Sequence, residues 1–382
     1  MDISGLLQGV PVKVLGQINV KDKPCTYDSK TRCVSLFDAT VVARLRQAGA
    51  SVVTETTYNN PSLKIRCDTG GRVCREAEAY GCVGLKPSYG RVSRYGVIPY
   101  ASSMDQVGMV VRTVGDAADL LQVMAGHDPL DGTSANLPVP DYRAALQGGM
   151  KGLRIGFPKE YFEVDMGEEV RKAVENCGKA GAEIVEVNLP HTEYAVAVYT
   201  IILAAERATN LGRFDGVRYG HRTAENVDSV ADLFAKSRGE GFDAEEKQSV
   251  ILGTYLLGKA CYERYFVQAQ KVRALIRRDF EEAFKKCDVM MMPVRPTLAL
   301  CLTKRGGERW MTPPVRPAAV RPCINLERAF TVPASLAGIC GLSVPCGKTK
   351  GGQPVGLQIL GPAFGEELIL RAAYAYEQEV RS

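Results

Sequence analysis

The chain has 382 residues, 46% hydrophobic and 24% charged, with a formal net charge of +5; it is long enough to bury a large core and too weakly charged to claim nucleic acid on that ground. Its longest apolar runs, "VMMMPV" and "AFTVPASLAGICGLSVPC", are too short or too broken by Pro and Gly to span a bilayer. The start, "MDISGLLQGVPV", has an acid at position 2 and no basic leader, so no targeting peptide is expected and an intracellular setting is.

In "DATVVARLRQAGASVVTETT", Asp38 can cap a helix whose Val41, Val42 and Leu45 face inward, and Gly49 can end it before an extended run at 51–54. The same order, a helix ending at Ala-Gly-Ala and then a strand, returns at 168–190. Further strands are expected at 153–157, 288–294, 341–346 and 355–360, with helices near 116–125, 198–212, 246–286 and 366–380. In the long helix Val272, Leu275, Ile276, Phe280, Ala283 and Phe284 share one face, while Glu281 and Glu282 can pair with Lys285 and Lys286. The pattern predicts one large α/β domain over 1–382, in which helices cover a sheet.

Twelve cysteines lack any C-x-x-C pair, which argues for reduced, mostly buried thiols and against a zinc ribbon. The basic stretch 303–322 is rich in Pro and Gly and reads as a surface loop, with RNA contact as the alternative. His127, His191 and His221 stand alone in sequence and read as structural.

The stretch "CDTGGRVCREAEAYGCVGLKP" (67–87) carries the chemistry. After Asp68 and Thr69, the pair Gly70-Gly71 lets the backbone turn so that successive N–H groups point at one place, which suits an oxyanion. A small nucleophile is expected next, and Arg72 stands there instead. Guanidinium stays protonated and neither attacks a carbonyl nor relays a proton. Cys67 and Cys74 flank the turn and are the substitute nucleophiles to consider, since a cation beside a thiol lowers its pKa. Ser62 and Lys64 form another local pair.

From Gly81 onward, "GCVGLKPSYGRVSRYGVIPYASSMDQVGMVVRTVGDAADLLQVMAGHDPLDGTSANLPVPDY", and later "GRFDGVRYGHR" and "FTVPASLAGICGLSVPCGKTKGGQPVGLQILG", resemble the amidase signature family. Among its members the chain is most similar to the glutaminase subunits of tRNA-dependent transamidation complexes. The resemblance implies an α/β amidase-signature fold, a mixed twisted sheet covered by helices on both faces. It also implies a Lys–Ser–Ser relay, in which neutral Lys deprotonates the nucleophile through a bridging Ser. "KDKPCTYDSKTRCVS" reproduces the spacing around the family's Lys, making Lys21 the relay candidate beside Asp22; a frame anchored on "GVPV" (9–12) puts Leu15 there instead. The segment before the usual Lys is shortened. Several dozen family residues, including the bridging Ser, have no counterpart between about 60 and 61. The family usually has an acid where this chain has Gly365.

The function so implied is that of a subunit in glutamine-dependent conversion of Glu-tRNA(Gln) to Gln-tRNA(Gln), with this chain unable to hydrolyse glutamine itself. The alternatives are a non-catalytic scaffold of an RNA-linked complex and a small-molecule amidase. No cofactor or metal is expected in this chain; the family complex uses ATP and Mg in a partner subunit. The expected partner is the tRNA-binding subunit of a transamidation complex or another RNA-linked assembly, without membrane insertion. The compartment implied is a mitochondrion or plastid in a eukaryote and the cytoplasm in a bacterium.

Overall fold

Short runs rich in Val, Ile, Leu and Met become strands, and ten of them join one sheet. The computed structural model describes residues 3–26, 32–54, 63–162, 167–296, 326–349 and 351–380. Its strands are β1 (Pro11–Val14), β2 (Pro24–Thr26), β3 (Arg32–Val34), β4 (Ser51–Val53), β5 (Lys64–Asp68), β6 (Val83–Lys86), β7 (Gln106–Val111), β8 (Arg154–Pro158), β9 (Glu183–Val187), β10 (Val289–Pro293), β11 (Gly341–Lys348) and β12 (Pro354–Leu360). The large sheet runs β4-β1-β5-β7-β6-β11-β12-β10-β8-β9, and β2 with β3 forms a separate hairpin. Pairing is parallel in both wings, β4-β1-β5 and β10-β8-β9, and antiparallel through the centre. This is the mixed sheet the resemblance implied.

The two faces of the central strands differ because side chains alternate along a strand. Val83, Leu85, Val107, Met109, Leu342, Leu357 and Ile359 enter the main apolar core, together with Ile369 and Leu370 of the helix Glu366–Ala375. Gly84, Lys86, Gln106, Gly108, Ser343, Gly356 and Gln358 take the alternate positions. Against these the helix Arg72–Tyr80 lies unusually close: a Cβ at Gly84 would sit 2.6 Å from the Val73 carbonyl oxygen, and one at Gly108 would sit 3.1 Å from a Val73 methyl. Absent side chains on three strands thus set the depth of the helix.

Most expected elements form near their expected bounds, including the helix Thr40–Gln47 before β4 and the helix Gly167–Lys179 before β9. Three local expectations change. Asp38 does not cap its helix; its carboxylate accepts the Lys21 N–H at 2.7 Å and pairs with Arg46 at 3.0 Å. The long helix is interrupted after Ala244–Leu257 and resumes as Tyr262–Val267 and Gln268–Phe284, because Gly258 leaves it in extended geometry. Within it Leu275 is exposed rather than inward, and Glu281 pairs with Arg277 at 2.8 Å, leaving Glu282 to Lys285 at 2.7 Å. Cys25 and Cys33 face each other across the β2–β3 hairpin with sulfurs 2.7 Å apart. Among the described residues no helix is long and apolar enough to cross a membrane. The basic stretch 303–322 lies outside the described residues, as do 55–62, where the missing family segment was expected.

Candidate functional site

β5, third strand from one edge of the sheet, ends at Asp68 and turns through Thr69, Gly70 and Gly71 into the helix Arg72–Tyr80. Both glycines are sterically required. A Cβ at Gly70 would lie 2.6 Å from the Tyr199 hydroxyl, and Gly71, at φ +78°, would drive one to 2.2 Å from the Thr331 Cβ. Thr331 holds the turn from outside by donating its hydroxyl to the Gly70 carbonyl at 2.9 Å, and Thr69 donates to the buried Asp105 at 2.7 Å.

The N–H groups expected to hold an oxyanion are already satisfied. Asp68 Oδ1 accepts from the N–H of Gly70 at 3.0 Å, Gly71 at 2.6 Å and Arg72 at 2.9 Å, and its Oδ2 accepts from Val73 at 2.9 Å. The anion at this helix N-terminus is therefore the chain's own buried carboxylate, which answers both the unpaired N–H groups and the helix dipole. Behind it Lys86 is fully buried and donates to Gln106 Oε1 and the Ile339 carbonyl, each at 3.1 Å. Burial lowers the Lys86 pKa, and the Asp68 charge opposes that.

Above the turn opens a cleft of about 170 Å³, walled by Thr69, Gly70, Gln17, Tyr100 and Tyr199, with guanidiniums from Arg66, Arg72, Arg75, Arg207 and Arg328. Asp243 and Glu245 face them. Arg66 pairs with Glu76 at 2.9 Å and Arg207 with Glu245 at 3.5 Å; Arg328 donates to the Tyr199 hydroxyl at 3.3 Å. Arg75 is pressed among like charges, and burial, then the Arg328 charge, bring its pKa down to about 10.

Arg72, at the position of the expected nucleophile, is exposed and lines this cleft. Cys67 and Cys74 are both buried, and burial drives the Cys67 thiol well above its ordinary value and the Cys74 thiol up to about 12, which disfavours a thiolate at either. Lys21 is exposed in the turn before β2 and is not among the residues that wall the cleft. Leu15, which the frame anchored on residues 9–12 puts at the relay position, follows β1 and donates its N–H to the Ile65 carbonyl at 3.1 Å; it does not wall the cleft either. The lysine buried in this strand is Lys13, whose pKa falls through burial and the nearby Lys64 charge. Lys64 itself lies 3.8 Å from Glu76, and Ser62 is outside the described residues.

Gly365 precedes the helix Glu366–Ala375, and the following Glu366 turns inward to Arg91 at 3.3 Å and the Ser88 N–H at 2.8 Å. Two histidines are tied to carboxylates, His191 to Asp279 at 2.9 Å and His221 to Glu240 at 2.6 Å, away from the cleft; His127 contributes its carbonyl to Arg44. Arg66, Arg75, Arg207 and Arg328 were not foreseen, since only tertiary structure brings them together. Among the described residues no cluster of three or more His, Cys, Asp or Glu could hold a metal ion.

The Amidase family model matches residues 62–370. The A subunit of glutamyl-tRNA(Gln) amidotransferase from Geobacter sp. (strain M21) is 42% identical over 427 residues, covering 98% of this chain and 84% of that protein. Because the alignment is longer than the 382 residues of this chain, that relative has stretches with no counterpart here. The protein of the same name from Trichlorobacter lovleyi is 53% identical over 81% of this chain and 62% of its own length. The crystal structure of the A subunit of the Thermotoga maritima glutamyl-tRNA(Gln) amidotransferase superimposes with a TM-score of 0.75 at 29% identity, covering 98% of this chain and 84% of that one.

Proposed function

The chain belongs to the amidase family, and from that premise we propose that it is a homologue of the A subunit of glutamyl-tRNA(Gln) amidotransferase that takes the glutaminase's place in a hetero-oligomer without hydrolysing glutamine. One observation carries the second half of this reading: Arg72 follows the Gly70-Gly71 turn where the nucleophile belongs. Amide hydrolysis by the family's route needs an atom that gains electron density as it loses a proton, and guanidinium has no lone pair to offer. The rest of the machinery is equally unsuited. Asp68 occupies the N–H groups of the turn, the nearby thiols are held protonated, and Lys21 does not line the cleft. The first half rests on similarity to those A subunits along nearly the whole chain. ATP, Mg and tRNA are then the business of the partner, and this chain contributes the surfaces that dock it. A small-molecule amidase would need the same missing nucleophile.

The test is ammonia release from glutamine and asparagine by the purified chain, alone and with its co-purifying partner, beside the Arg72→Ser variant. No release above buffer is expected from the unaltered chain in either setting. Arg72→Ser alone is also expected to stay inactive, because the turn's N–H groups remain bound to Asp68. Ammonia from the unaltered chain would overturn the reading.

A further inference from the structure

The cleft over the Gly70-Gly71 turn is not a depleted active site but a cationic one. Four of its arginines, Arg66, Arg75, Arg207 and Arg328, have a buried Nε without a hydrogen-bond partner among the described residues. Arg207 is only 4% exposed. A buried guanidinium with unmet donors is costly unless an anion meets it. The carboxylates present account for part of the charge: Glu76 serves Arg66, Glu245 serves Arg207, and Asp243 Oδ1 is held by the Glu246 N–H at 2.8 Å. Arg75 and Arg328 have no ion pair with a carboxylate among the described residues. Of the four, Arg75 and Arg328 are therefore left without a carboxylate ion pair, in a cleft of about 170 Å³, smaller than the usual pocket for a drug-sized ligand.

We propose that this cleft binds a compact phosphate dianion, as free phosphate or the head of a phosphate monoester, between Arg75 and Arg328 with Arg207 and Arg66 closing around it. Planar guanidiniums match phosphate oxygens in pairs, and a charge of minus two balances the two unpaired cations where a single carboxylate would leave one over. The Tyr199 hydroxyl, already accepting from Arg328, offers its own proton to the same anion. Because Asp68 has taken the helix N–H groups, recognition falls to side chains, unlike the backbone cradle of a phosphate-binding loop. Binding would also lift the depressed Arg75 pKa, adding a second anion to the Asp68 charge that already opposes burial and Arg328. The site does not depend on the chain's place in a complex, so its failure would leave that reading intact.

The experiment is thermal unfolding of the purified full chain, titrated at constant ionic strength with inorganic phosphate, with glycerol phosphate, and with acetate as the monoanion control. A saturable rise in midpoint with phosphate and none with acetate is expected. Response to glycerol phosphate as well identifies the ligand as a monoester head; response to inorganic phosphate alone identifies the free anion. Arg75→Gln should fold with an equal or higher midpoint without ligand, having lost an unmet buried charge, and should weaken phosphate binding at least tenfold. Arg328→Gln provides the second variant, and Arg277→Gln, on an exposed helix face, should change nothing. Equal responses to phosphate and acetate, or unchanged phosphate binding in both cleft variants, would overturn the proposal.

Discussion

The two faces of the central sheet divide the labour of this molecule. On one, Leu85, Met109, Leu357 and Ile359 pack into a continuous apolar core whose contribution scales with area and asks only for the right volume. On the other, Gly84, Lys86, Gln106 and Gln358 lie beneath the helix Arg72–Tyr80, where stability depends on individual hydrogen bonds and on glycines that let the helix approach. Glu78 illustrates this: fully buried, it accepts from the Gly356 N–H at 3.1 Å and lies 2.8 Å from Arg295. A change on the first face makes a cavity, whereas a change on the second leaves a charge or a donor stranded. The amidase fold can thus retain its core while the chemistry of its other face drifts.

That contrast can be tested from its strongest point downward. Asp68→Ala leaves four N–H groups without their acceptor and should cost on the order of 4 kcal/mol by denaturant unfolding, at about 1 kcal/mol per bond. A loss below about 1 kcal/mol would mean that water replaces the carboxylate and that the polar face does not carry structure. Leu85→Ala should cost about 3 kcal/mol by opening a cavity in the apolar core, with m unchanged. Gly84→Ala adds one methyl group, 2.8 Å from the Ala77 Cβ, and should cost about 2 kcal/mol by lifting the helix; an unchanged midpoint would show that the helix is free to shift.

The last test is a pH slope. Burial pushes the Glu78 carboxyl up to about 7 from its ordinary 4.5, against the pull of Arg295 and the Gly356 N–H. The folded chain then keeps a proton that the unfolded chain has released, so stability falls as pH rises from about 4.5 to about 7 and levels off above. The slope from this group is at most about 1.4 kcal/mol per pH unit, and Glu78→Gln should remove it. Parallel curves for the two proteins between pH 4 and 8 would show that Arg295 keeps the carboxylate charged throughout.

The sheet was largely legible in the sequence because its signals are local. Branched and apolar runs flanked by Gly or Pro announced β8, β10, β11 and β12, and Ala-Gly-Ala marked where helices yield to strands. Even the division of faces is written in "VGLK", where Val83 and Leu85 alternate with Gly84 and Lys86. The site was legible only at the Asp-Thr-Gly-Gly turn. That Asp68 would fold back on its own turn depends on the angle at which β5 meets the helix, which residue types alone do not set. A short spacing singled out Lys21, but whether a residue reaches the cleft is set by the strands and turns around it, and neither Lys21 nor Leu15 is among the residues that wall it. The arginines of the cleft come from segments as far apart as β5 and the residues before the helix Val332–Ala337, so no window along the chain contains the pattern.

The folded-back Asp68 also bears on mutational tolerance. The N–H groups of the turn are held by the residue four places before position 72, whose own side chain is exposed at the cleft. In a library of all substitutions scored for folding, position 72 should be nearly flat and position 68 steep. The identity of the reactive residue is then a passenger on a scaffold maintained by its neighbour, free to change from one generation to the next without any loss of folded protein.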